Sequence, residues 1–146
     1  MKDFKFPEPQ SEAKATPVEG LTGPIVGSSS LPDHKDWFHE GFVSKPENQG
    51  GCGACWAFSS SAACESLALI NGLEKQLSEY SIQQLMDCDK QNFGCIGGWM
   101  YEGFKYISEN GILLKSKYRR YEPSVKDCQV SGSDLSKDFR LKGIGY

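Results

Sequence analysis

The sequence has no apolar run approaching the roughly 20 residues needed to cross a bilayer, so no transmembrane segment is expected. Its start, Met1-Lys2-Asp3-Phe4-Lys5-Phe6-Pro7-Glu8-Pro9, lacks the apolar core of a secretory signal, and no Asn-x-Ser/Thr glycan acceptor occurs anywhere. Either a signal and pro-segment have been removed, or the protein does not travel the secretory route. Excess charge is also missing. Sixteen Lys and Arg against nineteen Asp and Glu give a net charge of −3 with no basic tract, which argues against nucleic acid or an anionic membrane as a partner. Internal repeats and low-complexity tracts are absent, which excludes solenoids and arrays. Histidine is reduced to His34 and His39, both ahead of the first cysteine.

What remains is a chain of 146 residues, 38% hydrophobic and 12% aromatic, enough for one domain with a modest core. The first 30 residues, with their prolines and the Gly27-Ser28-Ser29-Ser30 cluster, read as an extended arm. A first helix is expected from about Cys55 to Leu69 or Ile70, stopped by Asn71-Gly72, with Phe58, Ala62, Leu67 and Ile70 supplying much of its apolar stripe. A second begins with Ser78 as N-cap and buries Ile82, Leu85 and Met86. A third covers about Trp99 to Ser108, with Met100, Phe104 and Ile107 on one face and Asn110-Gly111 as its stop. Residues 139–146, Phe139 to Tyr146, alternate like a strand that has just begun.

Six cysteines are present, two of them in Gln49-Gly50-Gly51-Cys52-Gly53-Ala54-Cys55-Trp56. Here a glycine-rich loop turns into an apolar helix. A thiol at a helix start sits at the positive end of the aligned peptide dipoles, where negative charge on sulfur is stabilised by about 0.3–1 kcal/mol. Cys55 is therefore a candidate nucleophile. A Cys-x-x-Cys pair also suits half a zinc site, a redox dithiol or two ordinary structural cysteines. The zinc reading lacks a second close pair among Cys64, Cys88, Cys95 and Cys128 and lacks a following histidine. The redox reading lacks a preceding strand, since Glu47 to Gly51 reads as loop. Cys64, nine positions past Cys55, falls on the opposite side of the helix and is expected to be a buried free thiol without chemistry.

Cys52-Gly53-Ala54-Cys55-Trp56 resembles the nucleophile signature of papain-family cysteine peptidases. The resemblance extends upstream to Leu31-Pro32-Asp33-His34-Lys35-Asp36-Trp37, similar to the family's mature amino terminus. Downstream it includes Leu77-Ser78-Glu79-Tyr80-Ser81-Ile82-Gln83-Gln84-Leu85-Met86-Asp87-Cys88-Asp89 and the cleft loop Gly94-Cys95-Ile96-Gly97-Gly98-Trp99, and it runs to about Cys128. Lys45-Pro46-Glu47 and Arg119-Arg120 depart from the family pattern without touching the chemistry. The fold implied is mainly α. It is the papain-like left domain, with a long helix starting at the nucleophile, two shorter helices and disulfide-linked loops, over residues 31–138. Residues 1–30 would be a pro-segment remnant, and residues 139–146 the start of the crossover to a β-barrel right domain that this chain does not contain.

By the same resemblance, Cys55 is the nucleophile, and Gln49 joins the backbone N–H of Cys55 in holding the oxyanion. Gly97 and Gly98 offer bare backbone to an extended substrate, and a side chain at Gly98 would block that strand. Trp99 either walls a substrate pocket or packs in the core. The implied disulfides are Cys52 with Cys95 and Cys88 with Cys128; three pairings of these four are open to sequence arithmetic alone. No cofactor or metal is implied. A disulfide framework suits an oxidising compartment, and the family resemblance suggests a lysosomal or extracellular setting.

The family's histidine and asparagine lie about 130 to 150 residues beyond the signature, and 91 residues follow Cys55 here. The chain alone is thus expected not to turn over peptides, for want of a general acid. Two functions follow. In one, this is the nucleophile-bearing half of a peptidase that acts on peptide or protein once a second chain or domain covers its exposed cleft face. In the other, it is an inactive papain-like remnant serving as a structural or interaction subunit of a larger assembly.

Overall fold

The computed structural model describes residues 32–130. They form three helices, α1 (Cys55–Ile70), α2 (Ile82–Cys88) and α3 (Met100–Asn110), with single 3₁₀ turns at Gly94–Ile96 and Lys115–Lys117. Among the described residues there is no strand, and the only β pairing is an isolated antiparallel bridge between Tyr80 and Leu114. The arm expected over residues 1–30 and the strand expected over residues 139–146 lie outside the described residues.

The first helix occupies its expected span and ends at Asn71, followed by Gly72 at φ +68°, a left-handed position suited to glycine. Its buried face differs from the expected stripe. Ala57, Ser60, Ser61, Cys64, Glu65 and Ala68 are buried, whereas Leu67 and Ile70 are 43% and 48% exposed. Phe58 and Ala62 are half-buried. The reason is size. Small side chains on one face let α3 approach so closely that a Cβ on Gly103 would stand 2.6 Å from Ser60 Oγ. A stripe of large residues could not pack at that distance. Ser60 pays no polar penalty for its burial, because its hydroxyl reaches the carbonyls of Trp56 (2.8 Å) and Met100 (3.2 Å).

The second helix begins three residues later than expected. Ser81 is its N-cap, accepting a hydrogen bond from the Gln84 N–H at 3.1 Å. Ser78 cannot cap because the chain beyond it is extended. Glu79 C=O accepts from Lys115 N–H, and Ser81 N–H donates to Leu113 C=O, both at 2.9 Å. These cross-chain bonds outweigh the local signal. Ile82, Leu85 and Met86 are buried as expected, but so are Gln83, Gln84 and Asp87.

A helix buried on every side must satisfy its polar side chains internally. Gln84 Oε1 accepts from Leu113 N–H (2.7 Å), while its Nε2 donates to Gly111 C=O and Tyr106 OH, both at 3.2 Å. Gln83 Oε1 accepts from Glu122 N–H, and its Nε2 donates to Ser124 C=O, both at 2.9 Å. Asp87 accepts from Gln83 Nε2 (2.8 Å), Lys126 N–H (2.8 Å) and Tyr118 OH (3.1 Å), with Arg119 Nε at 3.5 Å. One face of α2 thereby binds the turn after α3, and the other binds a strap over residues 118–129.

The third helix stops at Gly111, φ +78°. Ile107 and Gly103 are buried and Phe104 is half-buried, but Met100 is largely exposed and not part of the packed face. As the first residue of α3, Met100 meets α1 through its carbonyl, which accepts from Ser60 Oγ, while its side chain lies toward solvent.

Candidate active site

Cys55 is the first residue of α1, exposed and free. Its neighbour Cys52 is buried and bonded to Cys95, at a Cα–Cα distance of 4.5 Å. Cys88 is bonded to Cys128. Cys52 and Cys55 are therefore not a dithiol pair, and no group of three or more His, Cys, Asp or Glu suited to a metal exists among the described residues. The disulfide takes Cys52 out of both the redox and the zinc readings of the Cys-x-x-Cys run.

The loop ahead of Cys55 is pressed against the loop that holds Cys95. Gly53 N–H donates to Cys95 C=O at 2.8 Å, and a Cβ on Gly53 would lie 2.7 Å from that same oxygen. Only glycine fits so near a backbone carbonyl. Trp56, fully buried, donates from its ring nitrogen to Gly94 C=O at 3.1 Å. A disulfide, a backbone bond and an indole bond thus fix the Cys55 loop to the Gly94–Gly98 loop.

Gln49 lies in the same loop. Its Nε2 donates to Cys52 C=O at 3.0 Å, and its own C=O accepts from Tyr121 OH at 2.7 Å. An amide nitrogen carries two hydrogens, so one remains to donate elsewhere after the bond to Cys52. Tyr121 is itself packed edge-on against Phe58 of α1, with ring centroids 4.9 Å apart.

Gly98 is glycine for a reason the sequence did not show. A Cβ there would lie 2.3 Å from Asn92 Oδ1 and 2.8 Å from Trp56 Cδ1, so the position is tight on its inner side whatever approaches from outside. Gly97 has φ +140°, again favouring glycine. Trp99 is 41% exposed, which leaves its ring partly in solvent at the end of the ledge.

The two thiols left unpaired are chemically distinct. Burial, reinforced by the neighbouring Glu65 carboxylate, pushes the Cys64 thiol from an ordinary 9.0 up to about 12. At pH 8 a chromogenic disulfide reagent is expected to titrate one thiol promptly in the native protein and the second only in denaturant. Above pH 9 an unfolded chain loses the Cys64 proton that the folded chain retains, so stability falls as pH rises from 9 toward 12. Burial raises Tyr80 in the same direction. Urea midpoints at pH 8 and pH 10 check the sign.

Neither histidine serves Cys55 in this structure. His39 is mostly exposed, with its Nδ1 2.6 Å from Asp36 Oδ2 in a short turn. His34 is likewise exposed. Two buried side chains escaped the sequence reading. Asn92 holds the backbone of Trp99. Glu65 holds Ser44 Oγ (2.7 Å) and Tyr80 N–H (2.9 Å), tying the segment that leads to the Cys55 loop onto α1. A carboxylate in the middle of an expected apolar helix was the one available signal for Glu65.

A sequence profile described as papain family cysteine protease matches residues 31–145. The chain belongs to the papain family. Among curated relatives, zingipain-2 of Zingiber officinale is 50% identical over 99 residues, covering 67% of this chain and 43% of that protein. Papain of Carica papaya is 36% identical over 103 residues, covering 70% of this chain and 29% of the relative. Among solved structures, digestive procathepsin L2 from Tenebrio molitor larval midgut matches with a TM-score of 0.69 and 39% identity, over 80% of this chain and 36% of that one. The Carica candamarcensis cysteine protease CMS1MS2, solved in complex with E-64, matches with a TM-score of 0.64 and 37% identity, over 74% and 51%. The chain spans less than half the length of these curated papain-family relatives. Its mainly helical, twice disulfide-bonded architecture is that of a papain-like left domain.

Proposed function

We propose that this chain is the nucleophile-bearing half of a papain-like cysteine peptidase, with Cys55 attacking the scissile carbonyl. The observation that carries the reading is the contrast between Cys52 and Cys55. One is sealed in a disulfide to the glycine loop, while the other is free and exposed at the first turn of α1. Such a constellation holds a reactive sulfur beside a fixed ledge of bare backbone, as nucleophilic attack on an extended peptide requires.

In this mechanism the substrate lies along Gly97 and Gly98, with Trp99 flanking a side-chain pocket. The Cys55 sulfur, its S–H proton passed to a base on a second domain or chain, adds as thiolate to the carbonyl carbon, and the oxyanion accepts hydrogen bonds from Cys55 N–H and the uncommitted Gln49 Nε2 hydrogen. Expulsion of the amine needs a proton. Since His34 and His39 stand apart from Cys55, the donor comes from a second domain or chain, which would also cover exposed apolar residues such as Leu67, Ile70 and Leu73. Residues 31–138 would then form the left domain and residues 139–146 lead toward that second part.

The test is alkylation of native protein by an epoxysuccinyl peptide of the E-64 type, with the adduct located by mass spectrometry. Labelling of Cys55 at neutral pH at least about a hundredfold faster than a model thiol supports an assembled peptidase site. Labelling no faster than the model thiol would favour the inactive structural subunit instead.

A further inference from the structure

We infer that Asn92 is a positioning residue whose side-chain amide acts as a one-residue inner strand against Trp99, turning the N–H and C=O of Gly98 outward to receive a peptide backbone. The inference rests on the peptidase reading and names the group that shapes its substrate ledge.

In extended backbone a residue's N–H and C=O point to the same side, and successive residues alternate sides. Trp99 is extended, at φ −115° and ψ 131°. Both of its backbone polar groups meet Asn92: Oδ1 accepts from Trp99 N–H at 2.6 Å, and Nδ2 donates at 3.3 Å to Trp99 C=O, which also accepts from Gly103 N–H of α3 at 3.2 Å. Two residues earlier, Gly97 C=O accepts from Phe93 N–H at 3.1 Å. Residues 97 and 99 are thus engaged on the inner side. Gly98, between them, faces the other way, and neither its N–H nor its C=O has a hydrogen-bond partner among the described residues. An unpaired backbone edge of this kind is a template for an added strand.

Asn92 is built to hold that geometry. It is 7% exposed, and its Nδ2 also donates to Asp89 Oδ2 at 2.7 Å. Asp89 is buried and anchored through Oδ1 to Gln91 N–H at 2.9 Å. Because a carboxylate only accepts, it fixes the amide with nitrogen toward Asp89 and oxygen toward Trp99 N–H. The contact also explains why Gly98 tolerates no Cβ: the ledge lies flat on Asn92 and on Trp56, the residue following the nucleophile.

The experiment compares two electrophiles on Cys55 in the full protein. Iodoacetamide reports the sulfur alone, and an epoxysuccinyl dipeptide reports the sulfur together with the ledge. Asn92→Ala is expected to slow the peptidyl reagent by about tenfold, the scale of one well-placed hydrogen bond, with iodoacetamide changed less than about twofold. In Asn92→Asp the new carboxylate would face Asp89, and labelling by the dipeptide should fall further. Pairing Asn92→Asp with Asp89→Asn restores a donor and an acceptor in exchanged places and should recover part of the rate. Amide hydrogen exchange supplies a readout independent of reactivity, with Trp99 N–H protected in the parent and released in Asn92→Ala. Equal rates with both reagents in parent and Asn92→Ala, or a Trp99 amide that exchanges equally fast in both, would overturn the role of Asn92. A parent protein that does not discriminate between the reagents while Trp99 N–H remains protected would instead count against the peptidase reading and, with it, against a substrate-facing ledge.

Discussion

Asp87→Ala is expected to destabilise the folded chain by about 3–5 kcal/mol, the range for removing one partner from a buried charged network. The carboxylate is fully buried and serves the Gln83 amide, the Lys126 backbone N–H, the Tyr118 hydroxyl and the Arg119 guanidinium. Removing it takes an acceptor from the Gln83 amide, the Lys126 N–H and the Tyr118 hydroxyl and leaves Arg119 without its ion-pair partner, so the lost hydrogen bonds are only part of the cost. Asp87→Asn retains size and one acceptor, so it should cost clearly less. Denaturant unfolding checks both, with a lowered midpoint at an unchanged slope marking a change in stability rather than in the denatured state. The Cys88–Cys128 disulfide still ties the end of the strap to α2, so hydrogen exchange should show residues 118–126 loosening first. An Asp87→Ala protein within about 1 kcal/mol of the parent would mean that the disulfide and the Gln83 and Tyr121 hydrogen bonds hold the strap without the carboxylate.

The second large effect falls on chemistry. In the assembled peptidase, Cys55→Ala should lower kcat by on the order of 10⁵-fold or more, the scale seen when a covalent nucleophile is deleted. Peptide binding should change little, because the ledge is held by Cys52–Cys95, Trp56 and Asn92, none of which involves the Cys55 sulfur. Cys64→Ala is the control. Its thiol is 1% exposed on the far side of α1, so the substitution should leave kcat unchanged and at most reduce stability. Loss of binding in Cys55→Ala together with loss of turnover would place Cys55 in the structure of the loop rather than in its chemistry.

Much of this was legible in sequence because the signals were local. The start of α1 is written in a glycine loop that meets an apolar run, and its end in Asn71-Gly72. That a free Cys55 opens α1 follows from the residues around it in one short motif. The features that escaped depend on contacts far apart in the chain. Ser78 looked like a cap until Leu113 and Lys115 paired with Glu79 and Ser81 and displaced the helix start. The stripe through Leu67 and Ile70 was sought by hydrophobicity, whereas packing chose the small face that lets Ser60 meet Gly103. Gly98 was read as making room for substrate, and the structure adds an inner demand from Asn92 and Trp56. A polar residue in a loop, such as Asn92, carries no pattern that distinguishes a solvated amide from one that shapes a binding edge.

The central claim is that Cys55 can attack but must borrow the proton that releases an amine. A peptidyl p-nitrophenyl ester separates the two steps, because its leaving group departs as an anion without protonation. Incubation of this chain with such an ester, acid quenching and peptide mapping should show one thioester on Cys55 and a single burst of nitrophenolate, while the matching peptide amide stays intact. Acyl groups on any other residue, or an equal burst from Cys55→Ala, would contradict it.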